Sequence, residues 1–307
     1  MTSTRLTFPF VPRRRVIGLS YGSMRSLRRG AGSDVAGSRL YRPGDDMHSI
    51  DWSASARLSA ARGQDEFVVR ERFAEEAPRV VIVCDRRRQM AHFAPPLPWL
   101  DKVKAMRDAV ELILASSGSA GAFVGYLDYA DGDPHWRQPK GDRKMIEIRD
   151  ERLWSDEFDG PADWLEQSVE HLATHPRAVT PGTFVFVISD FLPAPSRDLW
   201  LSVIAHRWDV VPVVIQDPVW DRSFPDVRGI VVPLRDPETG RQAPVRLGRR
   251  EVESRRAANE QRTAELVETF RLLDLDPVLV TSGETSDILA SFLDWAELRR
   301  TRRVIGQ

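Results

Sequence analysis

From residue 79 onward, short continuous apolar runs alternate with longer stretches in which apolar positions recur every three or four residues. The run RVVIVCD at residues 79–85 ends in a carboxylate, which is typical of a buried strand in a parallel sheet. Further runs of this kind lie at residues 121–129, 183–190, 209–217 and 276–283. Helical spacing occupies residues 99–117, 161–175, 196–208, about 249–273 and about 285–300. The alternation predicts an α/β fold, with a mostly parallel sheet and helices on both of its faces.

Two shorter segments predict further strand pairing. Residues 228–236 read RGIVVPLRD, residues 243–247 read APVRL, and the turn sequence PETG at 237–240 lies between them, which predicts a hairpin. The segment HWRQP at 135–139 closely follows the strand predicted at 121–129. We expect it to pair beside that strand.

Residues 1–78 lack this alternation of strands and helices. Residues 30–44 read GAGSDVAGSRLYRPG, whose glycines, serines and proline are typical of loops and turns. Apolar side chains alternate over Phe67, Val69 and Phe73, which predicts a strand. Because Pro78 marks the change of pattern, we predict a basic, β-rich or irregular N-terminal segment at 1–78 and an α/β domain at 79–307.

Charge is balanced over the whole chain but not along it. The formal net charge is −1, which gives no general argument for binding nucleic acid or a membrane surface. Residues 1–44 hold nine arginines and one acid, so this stretch carries +8 and the remainder about −9. A positive segment next to a negative domain can steer a partner or pack within the protein.

The compartment is predicted from what the sequence contains and lacks. Cys84 is the single cysteine, which excludes an intrachain disulfide and favours a reducing compartment. No stretch approaches the roughly 20 apolar residues of a membrane helix, and the first residues lack the apolar core of a signal peptide. We therefore expect a cytoplasmic protein without a membrane segment.

Two of the predicted buried strands are followed directly by a carboxylate, Asp85 after the first and Asp190 after the third. In sheets of this class, ligands bind outside the carboxyl ends of the strands. We expect the two aspartates to share one crevice at that edge, which makes them the first candidates for functional chemistry.

Residues 39–57 carry a signature that resembles the domain of unknown function 58 family. The matching stretches are Tyr41-Arg42-Pro43-Gly44-Asp45-Asp46, then Ile50-Asp51-Trp52, then Ala56-Arg57. Residues 236–240 also resemble a hairpin turn of that family. The resemblance implies a von Willebrand factor A-like, Rossmann-like domain after the signature, and a MoxR-type AAA+ ATPase as the protein partner.

The resemblance also implies a metal-ion-dependent adhesion site, in which a D-x-S-x-S motif and two further loops hold Mg²⁺. In this chain Asp85 keeps its place and Asp190 matches the aspartate of the third loop, but Arg87 and Gln89 stand where the serines belong. A guanidinium repels a cation and can itself pair with either aspartate. We predict a degenerate site without a metal or other cofactor. If any metal binding is retained, it is weak Mg²⁺ binding by Asp85 and Asp190.

Three consecutive arginines, Arg86, Arg87 and Arg88, follow Asp85. Two interpretations of this loop remain open. The arginines can present positive charge to an acidic partner, or the loop can be solvated, with one arginine neutralising the former metal site.

Other chemistries have weaker support. Metal-dependent hydrolysis would need a cluster of aspartates, namely Asp45, Asp46, Asp51, Asp85 and Asp190. No histidine or lysine is spaced to act as a base, so the first three are expected to stabilise turns through hydrogen bonds, including bonds to Arg42 or Arg57. His171 and His175 have the spacing for a shared zinc, but no third ligand is evident.

These observations favour a non-catalytic protein-binding or adaptor module over an enzyme. The alternatives are a Mg²⁺-dependent domain that binds ligands in the manner of von Willebrand A domains and, with less support, a metal-dependent hydrolase.

Overall fold

The structure is a computed structural model, and it describes residues 6–13, 35–41, 47, 50–64, 66–72, 77–92, 99–140, 153–235 and 241–305. The chain folds into two units. The smaller unit is formed by Arg14–Pro78, and the larger one combines Met1–Arg13 with Arg79–Gln307.

The described residues of the smaller unit form a strand pair and one α-helix. Strand β1 (Val35–Leu40) and strand β2 (Val68–Arg72) pair antiparallel, and helix α1 (Trp52–Arg62) lies between them in sequence. The prediction of loop and turn over residues 30–44 is wrong for β1. Strand propensity depends strongly on context, and here the backbone hydrogen bonds to β2 determine the conformation of β1. The register between the two strands is irregular before Gly37.

Six strands form the central sheet of the larger unit. They are β3 (Arg79–Cys84), β4 (Phe123–Asp128), β5 (His135–Lys140), β6 (Phe184–Ser189), β7 (Asp209–Ile215) and β10 (Val278–Val280). Their order across the sheet is β10-β7-β6-β3-β4-β5, and β5 alone among them runs antiparallel to its neighbour. Numbered within this sheet, the order is 3-2-1-4-5-6 from the β5 edge, the order of doubly wound folds.

In the described part of the larger unit, five α-helices accompany this sheet. They are α2 (Lys102–Ser119), α3 (Trp164–Ala173), α4 (Arg197–Ala205), α5 (Arg249–Leu272) and α6 (Thr285–Ile305). A separate hairpin of β8 (Ile230–Arg235) and β9 (Gln242–Leu247) precedes α5, as predicted from residues 228–247, whereas the turn residues 236–240 lie outside the described part of the chain.

The core has two layers, one on each face of the sheet. On one face, buried side chains of α3, α4 and α5 pack against alternate valines of β3 and β6, for example Trp200 and Phe270. On the other face, Phe186 of β6 contacts the rings of Phe292 and Trp295 on α6. The prediction of an α/β fold, with a mostly parallel sheet and helices on both faces, is confirmed.

Residues 6–13 form a strap on this second face. Phe8 is 3% exposed, and its ring stacks on that of Phe292 with the centroids 4.3 Å apart. Its backbone N–H donates to Ser116 Oγ at 3.0 Å. The prediction placed residues 1–78 in one segment, but the strap belongs to the larger unit because its apolar side chains are buried there.

Within the described residues, no helix has both the length and the apolar character needed to cross a membrane.

Candidate functional site

The candidate site lies where β3 and β6 end side by side. The two strands are parallel neighbours, so their carboxyl ends emerge at the same edge of the sheet, at the point where the strand order reverses. Asp85 follows β3 and Asp190 follows β6, and both residues are completely buried. The backbone N–H of Asp85 donates to Ile188 O at 2.9 Å, which fixes the two strand ends against each other.

Arg87 binds the Asp85 carboxylate through two parallel hydrogen bonds. Arg87 Nε donates to Oδ1 at 3.0 Å, and Nη2 donates to Oδ2 at 2.7 Å. The backbone N–H of Arg87 donates to Oδ1 at 2.9 Å, and Ser189 Oγ donates to Oδ2 at 2.7 Å. Nη2 also lies 3.8 Å from Asp190 Oδ1, so one guanidinium reaches both aspartates. This bidentate geometry is the strong form of an arginine–carboxylate pair.

Asp190 has a different set of donors. Gln89 Nε2 donates to Asp190 Oδ1 at 2.8 Å and also donates to Leu192 O. Lys102 Nζ donates to Asp190 Oδ2 at 3.0 Å. The four predicted site residues Asp85, Arg87, Gln89 and Asp190 are therefore brought together, and a fifth joins them.

That fifth residue, Lys102, was missed by the sequence analysis. Its side chain is 2% exposed, and its Nζ also lies 2.8 Å from Asp221 Oδ2. Lys102 is the first residue of α2, directly after the N-cap Asp101, where a cation opposes the helix dipole. A lysine at the start of a predicted helix, in a chain with only four lysines, is the signal that could have revealed it.

Burial and ion pairing have opposite effects on the pKa values of the network. Burial raises the pKa of Asp85 against the lowering effect of Arg87. Burial disfavours the charged form of Arg87, but the hydrogen bond and charge of Asp85 outweigh it and raise the pKa of Arg87. Burial likewise disfavours charge on Lys102, yet Asp190 and Asp221 raise its pKa. Both cations therefore stay charged at neutral pH.

The residues present do not fit a divalent cation. Each oxygen of Asp85 and Asp190 already accepts a hydrogen bond from a donor of the chain. Mg²⁺ needs oxygen ligands in near-octahedral geometry at about 2.0–2.1 Å. Besides the Ser189 hydroxyl, the side-chain groups that bind these carboxylates are a guanidinium, an amide NH₂ and an ammonium, none of which can ligate a cation. Over the part of the chain that the structure describes, no group of three His, Cys, Asp or Glu side chains is arranged to hold a metal.

The other two arginines of the triplet also turn inward or are paired. Arg86 is completely buried, its Nε lies 3.6 Å from Asp128 Oδ2, and its guanidinium lies over the ring of Phe158. Arg88 is exposed but forms an ion pair with Asp159 at 2.6 Å. The interpretation that one arginine neutralises the carboxylates describes Arg87, and presentation of positive charge to an acidic partner stays a prediction that depends on Arg88 alone.

The signature residues belong to the smaller unit. Arg42, Gly44, Asp45 and Asp46 lie outside the described residues, so the expectations for them stay predictions. Asp51 is the N-cap of α1, where its Oδ1 accepts from the Ala54 N–H at 3.0 Å, which agrees with a role in local structure. Trp52 is exposed and contacts the ring of Phe67, and Arg57 Nε donates to Ser53 O.

The two histidines weighed as a zinc pair and the single cysteine both lie among packed side chains. The rings of His171 and His175 lie 4.8 Å apart beside Trp136, and burial together with His175 lowers the pKa of His171. Burial raises the pKa of the Cys84 thiol to about 12, so this side chain is a poor nucleophile.

Comparison with known sequences gives one family and several relatives. The model of the family described as protein of unknown function DUF58 matches residues 37–266. Proteins of Mycobacterium bovis and Mycobacterium tuberculosis, both described as uncharacterized, are 25% identical to this chain over 235 residues. The match covers 76% of this chain and 70% of each relative.

Two solved structures from Bacteroides resemble the chain. One is a conserved hypothetical protein BatB from Bacteroides thetaiotaomicron, with 18% identity. The other is an aerotolerance-related membrane protein from Bacteroides fragilis, with 15% identity. Each match has a TM-score of 0.43 and covers 72% of this chain and 100% of the solved one.

Proposed function

The chain belongs to the DUF58 family of proteins of unknown function, and from this premise we propose that it is a non-catalytic module that binds a partner protein. The observation that carries the proposal is the charge network between Asp85, Arg87, Asp190 and Lys102. Doubly wound folds bind their ligands in a crevice at this edge of the sheet. In this protein, the side chains of the network fill that crevice.

The same network argues against hydrolysis by the aspartates. A general base has to come within hydrogen-bond reach of the proton that it removes. Asp85 and Asp190 are completely buried, and their oxygens already accept hydrogen bonds from Arg87, Ser189, Gln89 and Lys102. Their role is to tie the loops at this edge of the sheet together, so that the surface above them is rigid.

The partner that we propose is a MoxR-type AAA+ ATPase, which follows from the family resemblance of the signature over residues 39–57. A rigid surface suits such a role, because a preformed binding surface loses little conformational entropy when the partner docks.

The test is a binding titration between the full chain and the MoxR-type ATPase of the same organism, without nucleotide, with ADP and with ATP. We expect saturable binding in at least one nucleotide state, and no release of product from phosphate-ester or peptide substrates by the chain alone. The ATPase part of the proposal fails if no binding occurs in any state. Turnover that Asp190→Asn abolishes in a folded variant would contradict the non-catalytic part.

A further inference from the structure

A short loop beside the charge network has the properties of a protein-docking surface. It comprises residues 153–160, called here the Trp154 loop. Two backbone bonds fix it to the sheet edge: the Gly160 N–H donates to Arg86 O at 3.0 Å, and the Asp159 N–H donates to Ala130 O at 2.9 Å. A side chain at residue 160 would approach Arg86 O to 3.1 Å, so glycine suits this position.

Two arginines from different elements hold the start of the loop. Arg107 of α2 donates from Nε to Leu153 O at 2.9 Å and from Nη2 to Asp156 Oδ1 at 2.9 Å. Arg86, which follows β3, donates from Nη1 to Ser155 O at 3.1 Å. These bonds fix the backbone on both sides of Trp154.

Trp154 is nevertheless exposed. Its exposed fraction is 55%, whereas Leu153 before it is 0% and Phe158 after it is 7% exposed. The guanidinium of Arg107 lies 5.0 Å from its ring centroid. The exposure of the indole is therefore a consequence of how the loop is anchored and not of a loose backbone. Tryptophan on a rigid surface is a frequent centre of binding energy in protein interfaces.

The surroundings of Trp154 are acidic. The Asp156 side chain is 93% exposed, Glu157 is exposed, and the Asp159 side chain is 61% exposed. Asp131 and Asp133, in the segment that the Asp159 N–H contacts, are exposed as well. Of the three arginines that follow Asp85, only Arg88 is exposed here, and it is paired with Asp159.

We propose that the Trp154 loop is the partner-binding surface of this module and that it takes an arginine-containing segment of the partner. A guanidinium is the group that fits both features, because it stacks on an indole and forms bidentate hydrogen bonds with carboxylates. This inference rests on the proposed function only in that the protein binds a partner, and it does not depend on the partner being an ATPase.

The test uses labelled peptides of equal length that are rich in arginine, in lysine or in glutamate, and measures their binding to the full chain by fluorescence anisotropy. We expect the arginine peptide to bind more tightly than the lysine peptide, with weaker binding at higher salt, and the glutamate peptide not to bind. Trp154→Ala should weaken binding of the arginine peptide about thirtyfold, as for an interface hot spot, while Trp154→Phe should recover part of the loss.

Matched variants separate this surface from general charge. Trp52→Ala removes another exposed tryptophan, from the other unit, and should leave binding unchanged. The double variant Asp156→Asn/Glu157→Gln should weaken the binding and reduce its dependence on salt. The control Asp294→Asn/Glu297→Gln makes the same change of charge on exposed residues of α6 and should have neither effect. Circular dichroism confirms that each variant is folded.

Four results would overturn the inference. These are no binding of the arginine peptide, tighter binding of the glutamate peptide, no effect of Trp154→Ala, and an equal loss in the matched control variants.

Failure of the proposed ATPase partnership is distinguishable, because the arginine peptide would still bind through Trp154. Conversely, an ATPase that binds the wild type and Trp154→Ala equally, without arginine-peptide binding, would leave the proposed function standing and remove this inference.

Discussion

Arg87 supplies positive charge where two buried carboxylates meet. It is 11% exposed and binds Asp85 in bidentate geometry while reaching toward Asp190. Removing one partner of a buried ion pair is costly, because the other charge is left without compensation in a low-dielectric environment. The position of Arg87 two residues after Asp85 made this pairing predictable from the sequence. The bond from Gln89 to Asp190, in contrast, depends on loop geometry that no sequence pattern describes.

Arg87→Ala should therefore lower the free energy of unfolding by roughly 3–5 kcal/mol. The adjacent variant Arg88→Ala is the matched control, because its ion pair with Asp159 is exposed and worth at most about 1 kcal/mol. Urea denaturation of both variants measures the difference. Equal losses of stability would show that Arg87 does not hold the site together.

Lys102 gives the network a pH dependence at alkaline pH. Its pKa in the folded protein is raised above the ordinary value of 10.5, because Asp190 and Asp221 outweigh the effect of burial. The unfolded chain therefore loses this proton at lower pH than the folded one, so the stability contribution is complete below the ordinary pKa and is lost as the pH rises through the folded pKa. Stability should fall more steeply above about pH 10 in the wild type than in Lys102→Met. Parallel stability curves from urea titrations at each pH would contradict this assignment.

At the scale of elements, the strands and helices of the larger unit were predictable because their apolar periodicity reflects burial. The run at 183–190 corresponds to β6, and the spacing at 249–273 corresponds to α5. β1 was not predictable, because its glycine- and serine-containing sequence has no strand pattern of its own. Its extended conformation depends on backbone pairing with β2. The strap at residues 6–13 was missed for a related reason: its few apolar residues are buried by helices distant in sequence.

The strap should contribute strongly to stability, although it lies before the residues 37–266 matched by the family model. Phe8→Ala removes a buried ring that contacts Phe292 and Trp295, and should cost about 3–5 kcal/mol. Leu6→Ala, at a residue 48% exposed, should change stability by less than about 1 kcal/mol. Guanidinium denaturation measures the free energy of unfolding of both variants. If Phe8→Ala loses as little stability as Leu6→Ala, the strap is not part of the core.

At the scale of the whole molecule, the order of strands determines where the site lies. Asp85 and Asp190 meet because the first and fourth strands of the larger sheet are parallel neighbours, which the alternation of strands and helices allowed us to predict. The sequence did not reveal that Lys102, 88 residues before Asp190, completes the network. Nor did it reveal the anchoring of the Trp154 loop, because side-chain bonds between distant segments leave no local pattern.

We infer that Arg87 and Lys102 lie against these carboxylates in place of the divalent ion that the family resemblance implies. Isothermal calorimetry with Mg²⁺, combined with thermal unfolding, tests it on the wild type and on Arg87→Ser/Gln89→Ser/Lys102→Met, which places serines at the two positions where the family resemblance expects them and removes the ammonium from Asp190. We expect neither binding heat nor a thermal shift for the wild type at millimolar Mg²⁺, and Mg²⁺-dependent stabilisation only in the triple variant. Saturable heat with a rise in Tm for the wild type would contradict it.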